Sequence, residues 1–492
     1  MSHLSVAPDA RRWWALAALS ITVLMVALDA TVINIALPRA QLELHFSVAN
    51  REWPITAYAL AFGSLMLLGG RLSDLWGRRT SLVVGLAGFA LASALGGWAH
   101  SFSALVAARA VQGVFGALLA PAALAALSTS FSDPKERARA FTIYGAIGGS
   151  GAAIGLLLGG ALTQWSSWRW CLFINLFFAA FALVGVVCFV AGGRREHRTR
   201  LDVPGVVLGS GGLFFVVYGL AHAVTAGWAA TLTWGSLVLG LALLGLFTFA
   251  QRRVESPLLP LRVLINRTRG GSLVALFFTN IGIFGMFLFL AYYLQGTIGY
   301  SPLRTGFAFL PLVIALAVSA FIASARLLAK VGPRPLVPTG MILATMGMVL
   351  FTKLTPNSNY WVSVLPGLVV TGLGLGLIVA PAVASATEGV DANQAGAASA
   401  LVNTTQQIGG SMGIALLNTI AVSVAARAVR ALPTQLAKGT RTGVLAQIHA
   451  TIHGYTVAFW WAAGLFGVGA VLSFALLESG VPELDSNFVV LH

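Results

Sequence analysis

The sequence predicts an all-α polytopic membrane protein of fourteen transmembrane helices, arranged as two six-helix halves with two further helices inserted between them. Three observations predict it: an apolar composition, the placement of the basic residues, and an internal repeat. Of 492 residues, 58% are hydrophobic and 9% charged. Mean hydropathy is +0.86, far from a soluble domain.

Apolar stretches lie near 13–37, 52–70, 80–99, 103–127, 139–163, 170–191 and 203–222, then near 231–250, 272–296, 305–325, 335–353, 361–385, 397–424 and 452–478. Each approaches or exceeds the ~20 residues that a helix needs to cross a bilayer. The first follows "ARR" and has the charged and apolar regions of a signal peptide. It is long, however, and no clear small-residue cleavage site follows, so it is expected to remain as the first helix. Trp13, Trp14, Trp53, Trp98, Trp165, Trp168, Trp228 and Trp361 fall near span ends, where amphipathic rings favour the membrane interface. Cys171 and Cys188 fall on one helix, too far apart along it to bridge.

A net charge of +15 with a pI of 10.8 would suit a nucleic-acid partner, but the placement of the charges argues against one. With the N-terminus inside, the cytoplasmic segments hold 20 of the 30 Lys and Arg residues and the outer segments 9, with Arg109 inside a span. That asymmetry orients the chain with both termini cytoplasmic.

Three pairs of matched segments recur in the same order. "RLSDLWGRR" (71–79) matches "RLLAKVGPR" (326–334), the "APA" triplets begin at Ala120 and Ala380, and "IGGS" occurs at 147–150 and 408–411. Loop 2–3 thus pairs with loop 10–11, and spans 4–5 with spans 12–13. The offset of eight helices is even, so both copies have the same orientation. A parallel repeat of this kind is an architecture of secondary transporters, with the substrate site between the halves. The expected division is 1–191 for the first half, 192–270 for linkers and the inserted pair, and 271–492 for the second half. The second half carries an outer segment, 425–451, read as a solvated loop or as an amphipathic hairpin or short helix.

Asp29 is the acid placed deep in a span, roughly 24 Å along the helix from Trp13. An ionisable group at that depth costs at least ~2.5–3.5 kcal/mol and tends to mark an ion or substrate pathway. Two readings stand: a carboxylate that loads and releases a proton as a cavity opens to each side, or a structural group bonded to neighbours such as Thr31 or Asn34. Arg109 needs a counter-charge and either pairs with Asp29 or snorkels outward. Gly151, Gly155 and Gly159 form a small-residue face on span 5, expected where the halves slide or seal. Asp74, with Gly77 and Arg78, is either an ordinary charged turn or a cytoplasmic latch onto a second-half helix. Polar groups expected near a substrate cavity are Asn34, Tyr58 and Gln112 in the first half. In the second half they are Asn280, Tyr292, Gln295, Asn403 and Gln407, each equally suited to bonding a neighbouring helix. Glu388 and Asp391 are expected to be solvated. No metal-ligand cluster, P-loop, nucleophile elbow or Rossmann glycine pattern occurs in a fitting context, so the chain reads as neither an enzyme nor an ATP-driven pump.

These motifs together resemble the major facilitator superfamily, in its fourteen-helix drug:proton antiporter branch. "LDATVINIALP" (28–38) resembles the branch's helix-1 motif, "GRLSDLWGRR" (70–79) the loop 2–3 signature, and "RAVQG" (109–113) the helix-4 motif. "GSGAAIGLLLGG" (149–160) resembles the helix-5 antiporter signature, with Leu156 where the family often has Pro. "WRWCLFIN" (168–175) and "YYLQGTIGYSP" (292–302) extend the match. The resemblance implies the major facilitator fold and proton coupling at Asp29 and Arg109. It also implies a plasma-membrane (inner-membrane) multidrug efflux protein conferring antibiotic resistance, driven by the proton gradient with no cofactor. Expected partners are protons, membrane lipid and lipophilic, neutral or monocationic amphiphiles, handled by a monomer that exports them by alternating access. A dedicated exporter of one endogenous metabolite or antibiotic is the alternative, and a non-transporting sensor or scaffold the lesser one.

Overall fold

The computed structural model describes residues 8–131, 133–191, 202–254, 266–387, 395–430 and 441–479. These form fourteen long helices and a short 3-10 turn, Val48–Asn50, with no strand. The first six helices are α1 (Pro8–Leu44), α2 (Trp53–Trp76), α3 (Arg78–Gly97), α4 (Phe102–Ser130), α5 (Pro134–Trp165) and α6 (Trp170–Phe189). The inserted pair is α7 (Val203–Ala226) and α8 (Thr231–Gln251). The last six are α9 (Arg267–Gly296), α10 (Pro302–Val331), α11 (Pro333–Phe351), α12 (Tyr360–Thr387), α13 (Ala395–Arg430) and α14 (Arg441–Leu476). Among the described residues, thirteen helices are long and apolar enough to cross a membrane; α2, at 24 residues, is the other long helix. The chain is a multi-pass membrane protein.

Local chemistry sets the helix ends. Ser101 caps α4 by accepting from the Ala104 amide at 3.3 Å, and Asn266 caps α9 by accepting from Arg269 N at 3.0 Å. Gly77 stops α2 with φ 88° and Gly332 stops α10 with φ 72°, backbone geometry that favours glycine. These two glycines are the matched ones of the 71–79 and 326–334 segments. Pro121 and Pro381, from the two "APA" triplets, both lie inside helices, α4 and α12. Packing repeats as well: α1–α6, α3–α4, α3–α6 and α1–α4 in the first six helices correspond to α9–α14, α11–α12, α11–α14 and α9–α12 in the last six.

The chain divides into two compact units, Met1–Leu259 with Gly299–Phe307 and Ser399–Ile408, and Pro260–Ile298 with Ala308–Ala398 and Gly409–His492. The inserted pair belongs to the first unit and seats on α2, where Ser210 Oγ donates to the Ser64 carbonyl at 2.6 Å. Asp202, which caps α7, also accepts from Gln251 Nε2 on α8 at 2.5 Å, closing the pair at its base. The core of the first unit gathers Met25, Phe62, Leu86, Phe89 and Leu119, all nearly inaccessible. In the second unit Phe289 stacks on Tyr455 at 5.3 Å, and Phe351 meets Phe459 at 5.3 Å.

In the outer segment 425–451 the described ends are helical: α13 continues to Arg430 and α14 starts at Arg441, while 431–440 lie outside the described residues. Arg427 and Arg430 in the last turn of α13 oppose the negative end of its dipole, which favours helix over loop there. Most of the linkers, 192–201 and 255–265, also lie outside the described residues.

Candidate functional site

The site is a buried polar cluster inside the first unit, built from one side chain on each of α1, α3 and α6 and two on α4. Asp29, in the middle of α1, is completely buried. Its Oδ2 accepts from Arg109 Nη1 at 2.6 Å. Its Oδ1 accepts from Gln112 Nε2 at 2.8 Å and from Asn175 Nδ2 at 2.7 Å. Arg109 and Gln112 share one face of α4 because residues three apart on a helix are neighbours, and Arg109 Nη1 also donates to Gln112 Oε1 at 2.6 Å. Ser93 Oγ on α3 accepts from the same two amides, at 2.6 Å from Gln112 and 3.2 Å from Asn175.

Arg109 is buried like its counter-ion, so snorkelling is not its fate. Its Nε donates to the Pro54 carbonyl at 3.0 Å. That carbonyl is in the first turn of α2. The guanidinium carbon lies 4.4 Å from the centroid of the Tyr58 ring, where the π face favours a cation. A buried ion pair stands only when its geometry and remaining hydrogen bonds offset desolvation. Here three donors surround the carboxyl group.

Thr31 and Asn34 do not bind Asp29. Thr31 Oγ1 donates to the Leu28 carbonyl at 3.0 Å and Asn34 Nδ2 to the Ala30 carbonyl at 3.1 Å, both within α1. Asn34 Oδ1 and the Tyr58 hydroxyl are buried without a hydrogen-bond partner among the described residues. The glycine face of α5 meets α1 rather than the second half. A Cβ on Gly151 would stand 2.7 Å from Ala27 Cβ, one on Gly155 would stand 2.0 Å from Thr31 Oγ1, and one on Gly159 would stand 2.9 Å from the Val32 carbonyl oxygen. The stripe therefore clamps α5 onto the turns of α1 on either side of Asp29.

Gln407 approaches Gly63 within the first unit: a Cβ on that glycine would lie 2.9 Å from Gln407 Cβ. Asn403 is half-buried on the same helix, α13. Asn280 is buried on α9 and donates to the Leu276 carbonyl at 2.8 Å. Tyr292 and Gln295 are half-buried near the end of α9. Asn403 and Gln407 belong to the first unit, and Asn280, Tyr292 and Gln295 to the second. Gly77 and Arg78 form the α2–α3 corner. The Asp74 side chain, and the whole of Glu388 and Asp391, lie outside the described residues.

Sequence reasoning missed Ser93 and Asn175. Asn175 ends the quoted "WRWCLFIN", and Ser93 is a lone hydroxyl in the apolar α3. Arg51 and Glu52, at the entry to α2, are also buried; their position at a span end gave no sign of it. At the far end of α1, Glu43 Oε2 accepts from Trp168 Nε1 at 2.6 Å and Glu43 Oε1 pairs with Arg169. Arg169 Nη2 donates in turn to the Ala99 carbonyl at 3.0 Å, so three helix ends are joined.

The Major Facilitator Superfamily profile matches residues 19–414. The chain is 46% identical to the puromycin resistance protein pur8 of Streptomyces alboniger over 98% of this chain and 94% of that one. It is 37% identical to the cephamycin export protein CmcT of Amycolatopsis lactamdurans, covering 80% and 82% of the two chains. Identity to the tetracenomycin C resistance and export protein of Streptomyces glaucescens is 33%, over 84% and 76%. Among solved structures, a bacterial homologue of the human lysosomal transporter Spinster shares the fold, with a TM-score of 0.64 at 17% identity over 95% and 97% of the chains. A profile covering most of the chain, these relatives and the repeated six-helix packing together assign the chain to the Major Facilitator Superfamily of membrane transporters, alongside antibiotic export and resistance proteins.

Proposed function

We propose that this transporter exports amphiphilic small molecules, antibiotics among them, in exchange for protons, and that Asp29 is the proton carrier. The observation that carries the reading is the buried Asp29–Arg109 pair. A charged pair replaced by apolar side chains of similar volume is often neutral or stabilising, so stability alone is a weak reason for its presence. Proton uptake at Asp29 removes the charge that holds Arg109, and by reciprocity separation of the pair and proton uptake favour each other. In this cycle Asp29 takes a proton from outside as substrate leaves outward, and its release inside restores affinity for the next substrate. Proton and substrate then bias one conformational equilibrium in opposite directions. The basic residues favour an orientation in the plasma membrane with both termini cytoplasmic.

Substrate chemistry follows from the setting. Polar groups near the pair are amides, a hydroxyl and a phenol, uncharged groups that suit a neutral or singly charged amphiphile. The relative named for puromycin resistance supports a small-molecule antibiotic as substrate. Narrow specificity is a second reading, favoured by several relatives each named for a single compound.

The test is accumulation of labelled puromycin in everted vesicles with an acidic interior, repeated with an uncoupler and with a panel of lipophilic cations and neutral amphiphiles. Uncoupler-sensitive accumulation supports proton exchange. Accumulation unaffected by the uncoupler contradicts it, and uptake confined to one compound selects the narrow reading.

A further inference from the structure

The side-chain groups that reach the Asp29 carboxyl oxygens are all donors. Two amide NH2 groups, Gln112 from α4 and Asn175 from α6, each fork over the same two oxygens, Asp29 Oδ1 and Ser93 Oγ. A carboxylate suits this arrangement and a carboxylic acid does not, because its O–H must find an acceptor in a site closed to water. Gln112 Oε1 is occupied by Arg109. Asn175 Oδ1 is buried and has no hydrogen-bond partner among the described residues.

We propose that Asn175 is a positioning residue that reads the charge on Asp29: its Nδ2 donates to the carboxylate, and after a half-turn of the amide its Oδ1 accepts from the protonated acid. The inference rests on the reading of Asp29 as a proton carrier. The two ends of an amide have nearly the same shape, so the half-turn needs no repacking of α6. Ser93 completes the exchange. Its hydroxyl accepts from Asn175 Nδ2 at 3.2 Å, and the same hydroxyl, rotated, donates to Oδ1 once the amide has turned. The proton that reaches Asp29 stays on its carboxyl oxygen; the turn moves Asn175 Nδ2 to the place where Oδ1 has no partner, a cost that confines it to the protonated state.

Other titratable groups within reach of Asp29 are Arg109 on α4, Tyr58 on α2 and Cys171 on α6. From α5 the neighbouring surface is the glycine stripe, and from α3 it is Ser93, neither of which titrates. Tyr58 meets Arg109 through its ring face, and Cys171 Sγ is engaged with Thr163 Oγ1 at 3.3 Å. Asn175 is thus the amide with an acceptor in reserve beside Oδ1.

The experiment is infrared difference spectroscopy of the full-length protein in lipid nanodiscs, acid minus alkaline pH. The carboxyl band of Asp29 is identified as the one lost in Asp29→Asn. The expected result is a band at the low frequency of a hydrogen-bonded acid, moving to higher frequency in Asn175→Leu. An amide difference feature should accompany it in the wild type and vanish in both variants. Ser93→Ala, which removes no bulk from α6, should shift the band in the same direction by less, and carries the test if Asn175→Leu does not fold. A band unmoved in the folded variants overturns the role of Asn175 while leaving Asp29 as carrier. Absence of any pH-dependent carboxyl band that Asp29→Asn removes overturns the carrier reading, and this inference with it.

Discussion

Asp29 Oδ2 and Arg109 Nη1 lie 2.6 Å apart, with side chains 0% and 1% exposed, and join α1 to α4 across 80 residues of sequence. Removing one member strands the other. Arg109→Ala is expected to destabilise the protein by about 3–5 kcal/mol, because an uncompensated buried charge remains. The double variant Asp29→Asn with Arg109→Gln should recover much of that loss and still not couple substrate to protons. Thermal unfolding in detergent, read beside transport, separates the two effects.

The α5 glycine stripe makes a second prediction. A methyl group on Gly155 would meet Thr31 Oγ1 at 2.0 Å and the Leu28 carbonyl oxygen at 3.0 Å. Gly155→Ala should therefore push α5 from α1 at a cost of about 1–3 kcal/mol, lowering the unfolding temperature. Gly145, with nothing within 4 Å of its would-be Cβ, should accept alanine without loss. Equal unfolding temperatures for the two variants would contradict the clamp.

At the α2–α3 corner, Gly77 has φ 88° and ψ 144°, a region nearly closed to other residues. Gly77→Ala should cost about 1–3 kcal/mol, and Gly332→Ala, at the matched corner after α10, should cost about the same. Similar losses in unfolding temperature would report that the repeat extends to backbone geometry.

The Glu43–Arg169 contact at the end of α1 is a contrasting case. Glu43 is half exposed, at 50%, and exposed ion pairs contribute little. Glu43→Gln should lower stability by no more than about 1 kcal/mol and leave transport within twofold. A large transport defect would make this staple part of the working cycle.

Most of the fold was legible because two kinds of information are local in sequence: apolar run length and basic residue placement. The repeat was legible for the same reason, since Gly77/Gly332 and Pro121/Pro381 are single residues with strong backbone consequences. Asp29 and Arg109 stood out because charge in an apolar span is costly. Their neighbours did not. Asn175 and Ser93 are uncharged and cheap to bury when bonded, and their meeting depends on how α3 and α6 pack beside α1. The glycine stripe was visible but its target was not, because a small-residue face shows that a helix comes close without showing which one. The outer segment 425–451 stayed open between a loop and a hairpin or short helix because its Arg and Thr residues lower hydropathy, although helices α13 and α14 extend into it beyond any apolar run.

In the proposed cycle Asp29 carries the proton exchanged for substrate. Its most direct test is collapse of an imposed pH gradient in everted vesicles on adding puromycin, comparing wild type with Asp29→Asn at matched protein levels. Prompt collapse is expected in the wild type and none in the variant. Equal collapse in both would contradict it.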